Sequence, residues 1–262
     1  YVGYLATTTG SVTFEIRPST NFVSAYDNIT MRPVSSTALA ILALTASGET
    51  SPTFDLRGTF ASGNLGMGYS TLKSSAVGQN NIAIGKRALE LNISGNENTA
   101  IGTNALGVNT AGFANVAMGY NSLASNTGGF SNTALGSSTL NLNTYGTYNT
   151  AVGLGAMAEN VSGFSNVAVG VNALYTSTGN YNVGIGSNAL GANRPNTGTH
   201  NIAIGIEAGR EMTSGTYNEF IGHDAGRSNT TGTSNDALGH QALYSNTNGN
   251  NNVAIGYQAG TS

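Results

Sequence analysis

The chain has 262 residues, of which 37 are glycine, and only 8% are charged, against about 7% glycine and about 25% charged residues in typical globular proteins. The net charge is −3 and no run of lysine or arginine occurs, which excludes the basic signature of a nucleic-acid-binding protein. The absence of cysteine excludes a disulfide framework and a thiolate metal site.

Residues 1–36 alternate polar and apolar side chains, which predicts β-strands. The segment Asp27-Asn28-Ile29-Thr30 resembles the closing strands of a carbohydrate-binding jelly roll. This implies that residues 1–36 end such a domain or pair with strands outside the chain. Residues 37–63 are predicted to form an extended connector that caps the first repeat. Their apolar run, 38–44, is too short to span a bilayer and too far along the chain for a signal peptide, so no membrane insertion is expected.

From residue 64 to residue 262 an alanine–aliphatic–glycine signal recurs at every seventeenth position, with one step that is shorter by one and one that is longer by two. A fixed short period predicts a solenoid, here of about twelve coils, because each coil buries the face of its neighbour. At ~4.8 Å per coil the stack would be roughly 55–60 Å long. The longest step contains Arg194-Pro195-Asn196, which predicts a surface loop. The marker glycines are Gly68, Gly85, Gly102, Gly119, Gly136, Gly153, Gly170, Gly186, Gly205, Gly222, Gly239 and Gly256.

Each repeat follows the pattern N-x-A-[I/L/M/V]-G-x-x-A-L-x-x-N-x-x-G, as in residues 98–112. Its first five residues predict a short strand, and the A-L-x-x-N segment predicts a second, weaker strand before a glycine turn. No segment has a sustained period of 3.6, so helices are expected to be nearly absent. The first asparagine is predicted to form a ladder of stacked amides, with an ion- or glycan-binding column as the alternative. The ladder residues are Asn81, Asn98, Asn115, Asn132, Asn149, Asn166, Asn182, Asn201, Asn218, Asn235 and Asn252.

Alternation along a strand gives each coil one face of small residues and one face of large aliphatic residues. In residues 81–85 the asparagine, alanine and glycine share one side and the two isoleucines share the other. In the second predicted strand, Leu89 is expected to lie opposite Ala88. Both faces are too apolar for water, and a thin coil can hide only one of them. The pattern leaves open which face points inward, but it predicts self-association, most simply as a homotrimer, with a dimer also permitted.

These repeats resemble two known kinds of sequence. They are similar to the head repeats of trimeric autotransporter adhesins, and more closely to the NTAIGxxAL..NTxG arrays of phage tail fibres; residues 255–260 read IGYQAG, as those arrays do. The resemblance implies an all-β fold, a parallel β-roll or β-helix that is homotrimeric, left-handed in the adhesins, and extracellular on a virion or a cell surface. The adhesin period is usually shorter than this one, and Phe220 and Met212 replace the usual alanine and asparagine.

Two surface features are candidate binding sites. Aromatic residues follow the turn glycine in many coils, where packing over the turn is favoured and stacking on sugar rings is the alternative. In the last coils Glu207 and Asp224, Arg210 and Arg227, and His223 and His240 are each separated by one repeat period. Stacking one coil apart favours a solvated face with ion pairs, and a metal or receptor site is the alternative. The candidate residues are Phe113, Phe130, Tyr148, Phe164, Tyr181, Tyr217, His223, Asp224 and His240.

No catalytic or cofactor motif emerges from the sequence. The glycines at 153–155 lack the helix that a dinucleotide motif requires, and neither G-x-S-x-G nor H-E-x-x-H is present. We therefore predict a protein without catalytic activity, cofactor or bound metal. The resemblance of the repeats implies a structural role, most simply that of a phage tail-fibre shaft that presents a host-binding tip. Its expected partners are other copies of itself and a cell-surface glycan or receptor.

Three alternative functions stay open from the sequence. Two are an extracellular filament subunit and a trimeric autotransporter adhesin head. The third is a glycan-degrading tailspike, for which Glu219 and Asp236 form the only acidic pair at strand positions. The terminal Gly260-Thr261-Ser262 also fits an array from which a trimerising chaperone has cleaved itself, and the gene sequence beyond Ser262 would test this expectation.

Overall fold

The computed structural model describes the backbone of residues 39–44 and 54–59, and residues 63–74, 77–191 and 195–261 in full. The predicted β segment at 1–36 and Arg194 of the predicted loop lie outside these residues. The described residues contain no helix. The strands are β1 Leu39–Leu44, β2 Phe54–Thr59, β3 Asn64–Met67, β4 Ile82–Ile84, β5 Thr99–Ile101, β6 Val116–Met118, β7 Thr133–Leu135, β8 Thr150–Val152, β9 Val167–Val169, β10 Val183–Ile185, β11 Ile202–Ile204, β12 Glu219–Ile221, β13 Asp236–Leu238 and β14 Val253–Ile255.

The described strands form one 14-stranded sheet in which each strand pairs with the next in sequence. β1 pairs antiparallel with β2, and β2 pairs antiparallel with β3, so β2 covers the edge of the first coil. From β3 to β14 every pairing is parallel, and corresponding positions of successive repeats are paired, as in Ala100 with Ala117 and Ala117 with Ala134. The prediction of an all-β solenoid whose coil equals the sequence repeat is therefore confirmed.

The alanine of each strand points into the coil. Ala83, Ala100 and Ala117 are fully buried, whereas the strand residues on either side of them are partly or largely exposed. The interior is thin, and a column of small side chains fits it where a column of isoleucines would not. The small-residue face thus points inward, and the large aliphatic face points out.

The predicted second strand is wrong: the A-L-x-x-N segment forms turns. Leu89, Leu106 and Leu140 each adopt a φ of 49°, a left-handed conformation that a strand does not contain. Because of this conformation, consecutive side chains do not alternate, and Ala88 and Leu89 are both fully buried and not on opposite faces. Left-handed leucine costs roughly 1–2 kcal/mol. The cost is offset by burial and by hydrogen bonds between coils, such as Leu89 N to the Ala105 carbonyl at 3.0 Å.

The marker glycine ends the strand at a point where the backbones of neighbouring coils come very close. Gly119 has a φ of 140°, and a Cβ built on it would lie 2.3 Å from the Gly136 carbonyl oxygen. No side chain fits in that space, and non-glycine residues disfavour that φ. Glycine at this position therefore sets the distance between coils.

The asparagine at the start of each strand forms a ladder through the solenoid. In one repeat, Asn98 Nδ2 donates to Asn81 Oδ1 at 3.1 Å and to the Gly112 carbonyl at 2.8 Å, and the Asn98 backbone N–H donates to the same Asn81 Oδ1 at 2.9 Å. The backbone N–H bond to the preceding asparagine recurs at every coil from Asn64 to Asn252.

A second asparagine ladder runs through the turn that follows the leucine. Asn109 Nδ2 donates to Asn92 Oδ1 at 2.7 Å and to the Gly112 carbonyl at 3.0 Å. Ser177 interrupts this column next to the shortened repeat, and Met212 interrupts it again. Among the described side chains, the only buried polar atoms without a partner are Ser177 Oγ and Asn196 Nδ2. The irregular steps are absorbed in the turns, because β9, β10 and β11 stay in register.

Phe220 replaces the inward alanine, and its neighbours make room for it. Gly209 and Gly226 occupy the positions of Leu106 in their repeats. A Cβ on Gly226 would lie 2.5 Å from the Phe220 ring, and one on Gly209 would lie 2.9 Å from it. One ring thus fills the space that two leucine side chains occupy elsewhere in the stack.

Candidate functional surface

The outer face of the sheet presents an uninterrupted apolar column. The residue before each marker glycine points outward and is partly or largely exposed. In successive parallel strands these residues pair directly with one another, as Ile101 does with Met118, so they line up along the stack. All twelve are large and apolar: Met67, Ile84, Ile101, Met118, Leu135, Val152, Val169, Ile185, Ile204, Ile221, Leu238 and Ile255.

A parallel outer column is mixed. It starts at Leu65 and is β-branched in the middle coils, but it becomes acidic at Glu219 and Asp236, whose Cα positions pair across β12 and β13. Both side chains are exposed on the open outer face. The acidic pair thus occupies adjacent exposed positions on neighbouring strands.

The aromatic residues that follow the turn glycine stack on one another. Phe113 and Phe130 have ring centroids 4.6 Å apart and nearly parallel planes, and Phe130 meets Tyr148 edge-on at 5.2 Å. Phe164 meets Tyr181 edge-on at 5.1 Å. In a stacked pair the two facing ring surfaces are occupied by each other. The edge-on contacts leave ring faces uncovered, and Phe113, Tyr148 and Tyr181 are 44%, 58% and 49% exposed. The column therefore combines ring-on-ring packing with an exposed aromatic surface.

His200 and Tyr217 extend this aromatic column, and His200 was missed in the sequence. The His200 ring stacks on Tyr181 and on Tyr217, with centroids 4.8 Å apart in both pairs. Histidine is not usually counted as an aromatic residue, but its position one repeat period before Tyr217 would have revealed the column.

Charged residues of two adjacent coils form an ion-pair network. Glu207 Oε2 accepts from Arg227 Nε at 2.7 Å and lies 3.2 Å from Arg210 Nη1. Arg227 Nη1 also donates to the Tyr244 hydroxyl at 3.0 Å. The hydrogen bond from Arg227, together with the charges of Arg210 and Arg227, lowers the pKa of Glu207 below its ordinary value, although partial burial acts in the opposite direction. The same hydrogen bond raises the pKa of Arg227.

His223, Asp224 and His240 come together beside this network. The two imidazole rings stack across neighbouring coils with centroids 5.1 Å apart, and His240 stacks in turn on Tyr257 at 5.3 Å. Asp224 Oδ2 lies 3.8 Å from His223 Nε2. One candidate ligand atom from each of the three residues lies within 4.8 Å of the others. Tyr244 and Tyr257 were also missed, although each lies one repeat period after a member of these clusters, Arg227 and His240.

Comparisons of the chain with known protein families, with curated protein sequences and with solved structures find no match. Within the described residues, no helix has the length and apolar character needed to cross a bilayer.

Proposed function

We propose that this chain is the shaft of an extracellular fibre, most simply a phage tail fibre, in which three copies associate side by side around a common axis. The observation that carries the proposal is the apolar column from Met67 to Ile255, which no part of the described chain covers. At ~4.8 Å per coil it extends over about 50 Å. Monomeric soluble proteins rarely expose apolar patches of such extent.

The column favours association along its full length. It is continuous, since every pair in it is in register, and it is the same in each copy. Copies arranged about one axis can therefore each place the column against the others. Three chains are favoured over two because the repeat resembles those of trimeric fibres and adhesins. The aromatic and charged columns contribute exposed side chains, among them Tyr148, Tyr217 and His223, that a glycan or receptor could contact.

Mass measurement of the intact protein tests the assembly. Sedimentation equilibrium is expected to give about three times the 26.5 kDa chain mass. Ile204→Asp places a charge in the apolar column and is expected to dissociate the assembly, whereas Ser214→Asp, on an exposed turn of the same coil, is the matched control. A stable monomer of the unmodified chain would contradict the proposal.

Adsorption assays test the biological role. The purified, fluorescently labelled protein is expected to bind host bacteria and to compete with phage adsorption if the chain carries receptor contacts as well as the shaft. The gene sequence beyond Ser262 discriminates further: a chaperone domain supports a phage fibre, and a coiled-coil stalk with a membrane anchor supports an autotransporter head. Shortened polysaccharide chains after incubation with the protein would instead establish the tailspike.

A further inference from the structure

His223, Asp224 and His240 form the one group of three histidine, cysteine or acidic side chains in the described residues that could hold a metal ion. His223 and Asp224 adjoin each other at the end of β12, and His240 occupies the position of His223 one coil later. The sequence repeat therefore brings the second imidazole over the first. Three ligands from two coils thus converge without any loop rearrangement.

The distances suit a small, borderline-soft cation. Zinc binds histidine nitrogen and carboxylate oxygen at about 2.0–2.2 Å, so ligand atoms around tetrahedral zinc lie about 3.3 Å apart. In the structure the three ligand atoms lie within 4.8 Å of one another. Closing the difference of about 1.5 Å requires the two stacked imidazoles to turn out of their nearly parallel arrangement. The His223 side chain, which is 49% exposed, has solvent on one side into which it can turn.

The neighbouring charges hold the carboxylate in place for such an ion. Arg227 Nε contacts Asp224 Oδ1 at 3.3 Å, which leaves Oδ2 on the side of His223. The closer partner of Arg227 is Glu207, at 2.7 Å, and Arg210, which shares Glu207, also lies 3.8 Å from Glu211. The two arginines therefore face three carboxylates: Glu207, Glu211 and Asp224. An outer-sphere partner that orients a ligand carboxylate is a common feature of metal sites.

The repeat itself does not require these side chains. In other coils the residue after the marker glycine is Thr103, Ser137 or Ser187 instead of histidine. Those coils form the same strands and turns. The histidine pair is thus dispensable for the fold of a coil. The fold therefore does not explain why two histidines lie beside Asp224, the carboxylate that Arg227 contacts.

We propose that His223, Asp224 and His240 bind one Zn²⁺ per chain, with water completing a tetrahedral shell. The ion links two adjacent coils near one end of the solenoid, at a position exposed to solvent. The two histidines bind as neutral imidazoles and the aspartate binds as the carboxylate. Because the site is exposed to solvent, a chelator is expected to remove the ion reversibly. This inference is independent of the proposed fibre function, because all three ligands come from one chain.

Equilibrium dialysis against Zn²⁺, with metal quantified by mass spectrometry, tests the site. The test variants are His223→Ser, His240→Ser and Asp224→Asn, each of which introduces a residue that the same position carries in other coils. The matched control is His200→Ser, which removes the histidine of the aromatic column and leaves His223 and His240 in place. Circular dichroism of each apo variant verifies that it folds as the unmodified protein does.

The unmodified chain and His200→Ser are expected to bind one zinc, whereas each of the three test variants loses at least about tenfold in affinity, since even changes to outer-sphere partners cost about 10–100-fold. Zinc is also expected to raise the melting temperature of the unmodified chain and of His200→Ser, and to leave that of His240→Ser unchanged. The proposal is overturned if the unmodified chain binds no zinc, if the histidine variants keep their affinity, or if His200→Ser loses as much affinity as they do.

Discussion

We expect Asn132→Ala to destabilise the solenoid strongly, because Asn132 lies in the middle of the first asparagine ladder. Its side chain takes part in four hydrogen bonds. Nδ2 donates to Asn115 Oδ1 at 3.1 Å and to the Gly146 carbonyl at 2.8 Å. Its Oδ1 accepts from the Asn149 backbone N–H at 3.0 Å and from Asn149 Nδ2 at 3.2 Å. Alanine removes all four.

The magnitude follows from what happens to the partners. Asn115 Oδ1 still accepts from the Asn132 backbone N–H, the Gly146 carbonyl still accepts from Asn143 Nδ2, and Asn149 Nδ2 still donates to the Gly163 carbonyl. Only the Asn149 backbone N–H, in a buried residue, loses its single partner. An orphaned buried donor costs about 1–3 kcal/mol and each further lost bond about 0.5–1.5 kcal/mol. With one orphaned donor and three further lost bonds, a loss of about 2.5–7.5 kcal/mol of unfolding free energy per chain is therefore expected.

Thermal unfolding and hydrogen exchange measure this effect. At about 2–4 °C per kcal/mol, the melting temperature should fall by about 5–30 °C, and the amide proton of Asn149 should exchange faster. Asn141→Ala is the control, since Asn141 is partly exposed in the same coil and a surface change of this kind stays within about 0.5 kcal/mol. Equal melting temperatures for the two variants would refute the ladder as a source of stability.

Three other perturbations test the packing and the charges. Ala134→Leu should cost about 1–3 kcal/mol or more by overpacking a fully buried site. Thr150→Leu, at an exposed strand position, should leave the chemical-denaturation midpoint almost unchanged, and similar losses for both would show that the faces are misassigned. Gly119→Ala should prevent native coil spacing, which limited proteolysis would detect, and a fully protected variant would contradict the close approach seen there. Because the pKa of Glu207 is lowered from 4.5 in the folded state, its stabilising effect is complete above that value and is lost as the pH falls through the lowered folded pKa. An acid titration of stability should thus be flatter for Glu207→Gln, and parallel curves would count against the ion pair with Arg227.

The strand and the coil length could be predicted from the sequence because they depend on period and on side-chain size. The repeat positions of Asn98, Ala100 and Gly102 carry the same residue types in most coils. A constant repeat length places these positions over one another in successive coils, whatever conformation the turns adopt. The orientation of the faces could not be predicted from alternation alone. It depends on the width of the interior, which the turns set.

The turns were misjudged for a physical reason. Leu89 and Leu106 have good propensities for regular structure, and nothing in their side chains signals a positive φ. The left-handed conformation is imposed by the hydrogen bonds of the neighbouring coils, which the local sequence does not encode. The histidine cluster was recognised from spacing, whereas the proximity of its three ligand atoms needed coordinates.

The direction of the strands has a mechanical consequence for any shaft built from this chain. The strands lie across the long axis, so the hydrogen bonds between coils run along it and carry an axial pull directly, as links in a series. Each boundary between coils then carries the same force, and the boundary with the weakest bonding breaks first. Ser177, in the coil of β9, pairs with Asn196, in the coil of β10. Ser177 Oγ and Asn196 Nδ2 both lack a hydrogen-bond partner, so this boundary has fewer side-chain hydrogen bonds than the regular ones. Under tension the chain should therefore not stretch evenly. The hydrogen bonds between the β9 and β10 coils should break first, and the stacks of regular coils on the two sides of this boundary should each stay folded.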